Sequence, residues 1–272
     1  MNCQYENHVV PLLRRMRNLE ELTLYLDIAY QDILIEGSHL HGDILIHMPR
    51  LDKFTFYIKN IVSSDATVHF SDDDIKQTFI KIGYEQVSCI VDYFSVDGGD
   101  DFTPCGICHV FSLPFAFDRL QLLGNRLPTM VFDSVTNLLV KDYATYKSNF
   151  FVEIAQCFPF LRCLSINNNS CNHDKFEPHK NQPHSIIEYP HLTKLDVLNA
   201  HMVYNELFLD TSRIRLPKLM ELDISYDALE TVTNNFTREE TRLSGIKIKR
   251  LQVYQVMAWP KDLHDYFPSL EL

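Results

Sequence analysis

One short pattern of apolar positions recurs along the chain. It consists of an apolar residue, a proline, any residue, a leucine, two further residues and a final apolar residue. Copies with the proline begin at Met48, Phe158, Tyr189, Leu216 and, in shortened form, Phe267. Copies without the proline occupy residues 19–24, 135–140 and 248–253. Self-similarity of this kind is typical of proteins built from repeated structural units.

The spacing within one copy predicts a short strand. Its last two apolar residues lie two positions apart, so they share one face of a strand, and the residues beside them point the opposite way. Amphipathic stretches lie between the copies; Phe151, Ile154 and Phe158, for example, fall at helical spacing. A proline after such a stretch ends the helix because it has no backbone N–H to donate. Each copy therefore predicts a change from helix to strand.

The distances between copies predict one repeating fold. The leading apolar positions are 19, 51, 135, 161, 192, 219, 248 and 270. Two weaker copies, at residues 87–94 and 107–113, fill the long gap. A strand and a helix of this length cannot close a core alone, so the copies must stack. We predict an α/β fold: an irregular leucine-rich-repeat solenoid forming a single domain over residues 1–272, with a parallel sheet on the concave side and helices on the convex side.

The repeats resemble the leucine-rich-repeat region of F-box-type proteins, in the divergent form found in bdelloid rotifers. The resemblance covers nearly the whole chain and is clearest at residues 12–22, 41–51, 185–192 and 265–270. It implies the substrate-recognition part of a cullin-based ubiquitin ligase, in which an F-box docks the adaptor and the repeats bind the target. No F-box is visible before the repeats, which begin near Leu12. We therefore expect a truncated chain or a diverged paralogue, with a ligase adaptor as partner only if an F-box lies upstream.

The exposed strand faces of a solenoid line its concave side, where such proteins bind their partners. We predict that a protein target contacts this side, and alternation along the strands selects the candidate contacts Tyr25, Lys53, Tyr57, Asn137, Asn167, Asp196, Asp223, Gln252 and Tyr254. The three tyrosines occupy equivalent places in their copies, and tyrosine is frequent at interface hot spots. The alternative is that these positions are simply solvated.

Composition narrows the function classes. The chain has 272 residues, 46% of them hydrophobic and 22% charged, as in folded globular proteins. Its net charge of −11 opposes nucleic-acid binding. There is no secretory signal pattern and no apolar run near the ~18 residues that span a bilayer. We therefore expect a cytoplasmic or nuclear protein with reduced cysteines and no membrane partner.

Three motifs could carry chemistry, and each has a simpler interpretation. Residues 105–109 match the Cys-x-x-Cys-His motif of haem attachment but overlap a predicted strand. The cysteines and histidines within residues 163–191 are spaced too widely for a typical structural zinc site. Residues 71–74, Ser-Asp-Asp-Asp, fit the capped start of a helix better than a calcium loop.

The sequence predicts no cofactor, no metal and no catalytic residue, because no motif of nucleophilic or metal-dependent catalysis can be placed. The favoured function is a non-catalytic protein-interaction module. A scaffold outside any ligase, or a diverged paralogue, is one alternative. An α/β enzyme with an unrecognised cleft is the other; strongly shifted titratable groups gathered in one pocket would favour it.

Overall fold

The computed structural model describes residues 5–31, 34–63, 70–97, 102–170, 186–239, 241–242, 247–254 and 263–271. Its internal contacts divide the chain into two compact units, Met1–Phe117 and Asp118–Leu272. Each unit contains one main sheet. The α/β class is confirmed, whereas the prediction of one repeat domain over the whole chain stays a prediction.

The first unit is a four-stranded mixed sheet with short helices. In chain order it contains a π-helical turn (Tyr5–Val9), α1 (Val10–Leu13), β1 (Glu21–Gln31), α2 (Gly37–Asp43), a 3-10 turn (Leu45–His47), β2 (Lys53–Ser63), α3 (Asp72–Ile80), β3 (Val87–Asp97) and β4 (Phe102–Ser112). The strand order is β1-β2-β4-β3. β1 and β2 run parallel with Leu22 opposite Phe54, whereas β4 runs antiparallel to both of its neighbours.

The two weak copies at residues 87–94 and 107–113 are not parallel repeats, so that prediction was wrong. They lie in β3 and β4, which pair antiparallel from Val87 opposite Ser112 to Asp97 opposite Phe102. The physical reason is the short connection between the strands. A few residues suffice to join antiparallel neighbours, whereas a parallel pair needs a crossover of about a dozen residues or more.

Helices α2 and α3 cover one face of the first sheet. Phe56 of β2 is buried there and its ring stacks on that of Phe79 of α3, with centroids 5.4 Å apart. The capped start of α3 is confirmed: Ser71 Oγ accepts a hydrogen bond from the Asp74 N–H at 3.1 Å, and the Asp74 carboxylate accepts from the Ser71 N–H at 3.1 Å. Hydrogen bonds from Ser71 lower the pKa of Asp74.

The second unit is built on a six-stranded sheet whose neighbouring strands are all parallel. Its elements are β5 (Arg119–Leu123), β6 (Asn137–Lys141), α4 (Phe150–Cys157), β7 (Cys163–Asn168), β8 (Ile187–Glu188), β9 (Lys194–Ala200), α5 (Met202–Leu209), β10 (Ile214–Arg215), β11 (Glu221–Ser225), α6 (Tyr226–Val232), β12 (Arg250–Tyr254) and α7 (Leu263–Tyr266). The order is β12-β11-β9-β7-β6-β5, while β8 and β10 form a separate parallel pair. The predicted helix at Phe151 and Ile154 is α4, which ends just before Pro159.

Equivalent leucines of the repeat lie side by side in the second sheet. Leu138, Leu164, Leu195, Leu222 and Leu251 are register partners from β6 to β12. Leu22 and Phe54 form a corresponding pair, but in the sheet of the first unit. The expectation of one parallel sheet containing every copy is therefore wrong, because the antiparallel β4 occupies the open edge of β2.

Each strand of the second sheet starts with the same backbone hydrogen bonds. The carbonyl oxygen of Asp118 accepts the N–H groups of Thr136 and Asn137, where the next strand begins. The carbonyls of Thr136, Arg162, Thr193 and Met220 accept an equivalent pair from the following strand. The copies therefore share one backbone geometry as well as one sequence pattern.

Aromatic side chains fill the layer between this sheet and its helices. The ring of Tyr146 stacks on Phe150 with centroids 4.1 Å apart. Tyr204 Oη accepts a hydrogen bond from the Tyr146 N–H at 3.1 Å, and Tyr189 Oη donates to the Phe151 carbonyl at 2.7 Å. Burial raises the pKa of Tyr189. These hydroxyl groups let large rings enter the core without losing their hydrogen bonds.

Polar side chains also hold the turns that follow β6 and β7. The buried Asn168 donates from Nδ2 to the Ala144 carbonyl at 2.8 Å and accepts the Ser170 N–H at 2.9 Å. Asp142 takes the equivalent place after β6 and accepts the backbone N–H of Asn125 at 2.8 Å. One side chain thus bridges each turn to the turn of the preceding copy.

Replacing Asn168 tests this bridge. We expect Asn168→Ala to lower the free energy of unfolding by about 1–3 kcal/mol, because it removes the buried amide that binds the Ala144 carbonyl and the Ser170 N–H. The control is Asn169→Ala at the exposed neighbouring position, for which we expect less than about 0.5 kcal/mol. Urea denaturation measures both; equal effects would contradict the bridge.

Candidate functional site

The outward-facing residues of β5, β6, β7, β9, β11 and β12 form one continuous surface, here named the sheet wall. Its members are Arg119, Gln121, Asn137, Leu139, Lys141, Cys163, Ser165, Asn167, Lys194, Asp196, Leu198, Glu221, Asp223, Ser225, Arg250, Gln252 and Tyr254. In β6, β7 and β11 these positions are half-exposed and the residues between them are buried. The predicted alternation is confirmed in these three strands, whereas the register shifts near the ends of β5 and β9.

Charges on one side of the wall are paired across strands. Lys194 Nζ lies 2.8 Å from the Asp223 carboxylate, and Arg250 lies 3.5 Å from Glu221. The hydrogen bond that Lys194 donates to Asp223, together with the neighbouring carboxylates, raises the pKa of Lys194. Asp196 is the register partner of Asp223 and accepts the Leu198 N–H at 3.2 Å. This side of the wall is therefore polar but largely self-neutralised.

On the wall, β6 and β7 carry a single formal charge, that of Lys141 at the end of β6. Cys163, Ser165 and Asn167 of β7 lie beside Asn137 and Leu139 of β6. Burial raises the pKa of the Cys163 thiol, so the thiol stays protonated near neutral pH. A partner therefore meets mostly uncharged groups on β6 and β7 and charged groups on the neighbouring strand β9.

Six of the predicted contact residues lie on the wall: Asn137, Asn167, Asp196, Asp223, Gln252 and Tyr254. Gln252 Nε2 donates a hydrogen bond to Tyr254 Oη, and Tyr254 is 44% exposed. The wall brings these six side chains onto one face of one sheet.

The other three predicted contacts belong to the first unit, and one of them was wrong. Lys53 is exposed and pairs with Glu21 at 3.5 Å. Tyr57, expected on the binding face, is 0% exposed. Its ring lies 4.7 Å from that of the half-buried Tyr25 and 5.8 Å from that of Phe115.

The burial of Tyr57 has two causes. β2 is an internal strand, flanked by β1 and β4. In addition, Phe115 and Phe117, which follow β4, pack over the face that alternation assigned to solvent. Phe56, Tyr57 and Ile58 follow one another without apolar-polar alternation, which was a signal for a strand covered on both faces.

A buried polar row, which the sequence did not reveal, lies beside Tyr57. Lys59 is 3% exposed and its Nζ lies 2.8 Å from the Asp27 carboxylate. The buried His109 is the register partner of Lys59, and its Nδ1 lies 2.8 Å from Tyr57 Oη. A buried charge that loses its partner is costly, so Asp27 and Lys59 fix the register of β1 on β2. We interpret the row as structural.

The haem-like motif is part of β4, as its overlap with a strand predicted. Cys105 and Cys108 lie three positions apart in that strand, so their thiols point to opposite faces and cannot attach one haem together. Both are buried, and Cys108 Sγ lies 3.5 Å from Cys89 Sγ. Contact with Cys89 and burial raise the pKa of Cys108.

Part of the zinc candidate lies outside the described residues, namely Cys171, His173, His179 and His184. Within the described residues, no group of three or more histidine, cysteine, aspartate or glutamate side chains could hold a metal ion. Cys163 lies in β7, as its repeat position predicted.

No family model, no curated protein and no solved structure matches the chain. Among the described residues, no helix is both long and apolar enough to cross a bilayer. The resemblance to F-box-type proteins therefore rests on the repeat residues of the sequence alone.

The two tyrosines at equivalent repeat positions should behave differently. We expect Tyr57→Ala to cost about 3–5 kcal/mol of stability, because it empties a buried aromatic site. Tyr254→Ala, at the edge of the wall, should cost less than about 0.5 kcal/mol. Thermal and urea unfolding measure both, and a stable Tyr57→Ala variant would contradict the buried placement.

Proposed function

We propose that the chain is a leucine-rich-repeat interaction protein whose sheet wall binds another protein. The observation that carries this proposal is the in-register row of leucines in a parallel sheet, with an exposed face behind it. Stacked repeats create extended surfaces of this kind, and repeat proteins use them for partners.

The dimensions of the wall suit a protein segment. Neighbouring strands lie about 4.8 Å apart, so six strands span about 24 Å. An α-helix of about 16 residues has that length. Leu139, Cys163 and Ser165 on β6 and β7 carry no charge and can be desolvated at low cost, and Tyr254 supplies an aromatic contact at one end.

The shifted pKa values of the described residues also favour an interaction protein over an α/β enzyme. Burial raises those of Tyr84, Cys105 and Cys157. The lowered ones belong to Asp74, which caps a helix, and to Glu271, which pairs with Lys249. Each shift has a structural cause.

The resemblance to F-box-type proteins narrows the proposal to target recognition for a cullin-based ubiquitin ligase, in the cytoplasm or nucleus. A scaffold outside the ligase would use the same wall. Affinity purification of the protein expressed from its complete gene distinguishes the ligase role from the scaffold role. Recovery of a cullin adaptor together with wall-dependent partners supports the ligase role, and wall-dependent partners without an adaptor support the scaffold.

A charge introduced at Ser165, on the central strand β7, should weaken binding of the partner protein to the wall. We expect Ser165→Arg to weaken partner binding at least about tenfold, because it places an unpaired cation in a desolvated contact. The matched control is Gln156→Arg, which introduces the same residue, arginine, at an exposed position of α4. Affinity purification with quantitative mass spectrometry compares the variants with the unmodified chain.

Thermal unfolding must first show that both variants fold. Partners lost with Ser165→Arg and kept with Gln156→Arg support the wall. Identical partner sets for the two variants would contradict it.

A further inference from the structure

A second surface lies where the strands of the second sheet begin. In three copies the residue between the proline and the leucine, namely Phe160, His191 and Lys218, forms a column there. The rings of Phe160 and His191 have centroids 5.7 Å apart, and Lys218 Nζ lies 3.5 Å from His191 Nδ1. Lys247 Nζ donates to the carbonyl of Pro217 at 2.9 Å, which extends the column by one copy.

Two exposed residues flank this column, each directly before a strand. Arg162 precedes β7 and Met220 precedes β11, and their carbonyls accept the bonds that start the next strand. We name the six residues Phe160, Arg162, His191, Lys218, Met220 and Lys247 the basic rim.

The charge of the basic rim opposes that of the whole chain. The chain has 36 acidic and 25 basic residues, yet the rim holds three permanent cations and no carboxylate. Within the described part of the chain, neither Arg162 nor Lys218 nor Lys247 forms an ion pair. Neighbouring cations differ in this respect, since Lys194 and Lys249 pair with Asp223 and Glu271.

The rim also exposes apolar surface. Phe160 is 48% exposed and Met220 is 39% exposed. Aromatic residues, methionine and arginine are enriched in protein interfaces. Cations without a carboxylate partner among the described residues, interleaved with exposed apolar groups, suit a ligand that is both acidic and partly apolar.

We propose that the basic rim binds an acidic segment of a partner protein, with carboxylates facing Arg162, Lys218 and Lys247 and an apolar side chain on Phe160. A net charge of −11 opposes a long polyanion such as a nucleic acid, whereas a short acidic segment meets mainly the local field of the rim. The surface is separate from the sheet wall, and the proposal does not depend on the wall.

A defined peptide tests the rim without knowledge of the natural partner. The probe is a dye-labelled peptide of twelve residues, aspartate and glutamate around one central leucine, followed by fluorescence anisotropy. Its control replaces every acid by the matching amide. We expect only the acidic peptide to bind, and salt to weaken binding because the Debye length shortens from about 10 Å at 0.1 M to about 3 Å at 1 M.

Charge reversal locates the site. We expect the double variant Arg162→Glu, Lys218→Glu to bind the acidic peptide at least about tenfold more weakly. The matched control reverses two exposed cations outside the rim, Arg17→Glu with Lys147→Glu, and should change binding less than about twofold. Lys247→Glu alone repeats the test in the next copy if the double variant fails to fold.

Several outcomes overturn the proposal. Equal binding of the acidic and amide peptides would show that the carboxylates of the peptide do not contribute to binding. Equal loss in the rim and control variants shows a general charge effect. An oligothymidylate that binds as tightly as the acidic peptide makes the rim a nucleic-acid surface. If a folded Phe160→Ala variant binds the acidic peptide with unchanged affinity, the proposed apolar contact with Phe160 is wrong.

Discussion

The second unit depends on the burial of one leucine row. A single strand-helix copy has only one apolar face and cannot cover it alone. Stacking the copies puts Leu138, Leu164, Leu195 and Leu222 against one another in the core. Each buried leucine stabilises the fold by roughly 1.5–3 kcal/mol. The opposite face of the sheet remains exposed because the copies alternate in step, so the sheet wall is a direct consequence of the core.

The first unit uses the same local pattern in another setting. β1 and β2 pair in parallel, and the Glu20 carbonyl accepts the N–H groups of Asp52 and Lys53, as at the strand starts of the second unit. The antiparallel β4 then takes the free edge of β2. Aromatic residues that follow β4 cover the second face. A repeat-like strand pair is thus converted into a sheet buried on both sides around Tyr57.

The two proposed surfaces differ in how their charges are satisfied. On the wall, Lys194 and Arg250 have carboxylate partners one strand away. On the basic rim, Arg162 and Lys218 have none among the described residues, in a chain with a net charge of −11. Exposed ion pairs add little stability. The pairing of the cations on the wall and its absence on the rim therefore affect partner recognition more than folding. We propose that the wall binds a partner surface with few charges, because its own cations are already paired. The rim, whose cations have no carboxylate partner among the described residues, suits an acidic partner.

The sequence by itself determined the repeat strands β1, β2, β6, β7, β9, β11 and β12, the helix at Phe151, the Ser71 cap and the alternation of the wall. These follow from local spacing and hydrogen bonding, which act over a few residues. Only the tertiary structure decided that β3 and β4 pair antiparallel and that Tyr57 is buried. It also decided that Asn168 bridges the turns and that the rim cations align. Each of these depends on contacts between residues distant in the chain, and the period of a repeat carries no information about which neighbour covers a face.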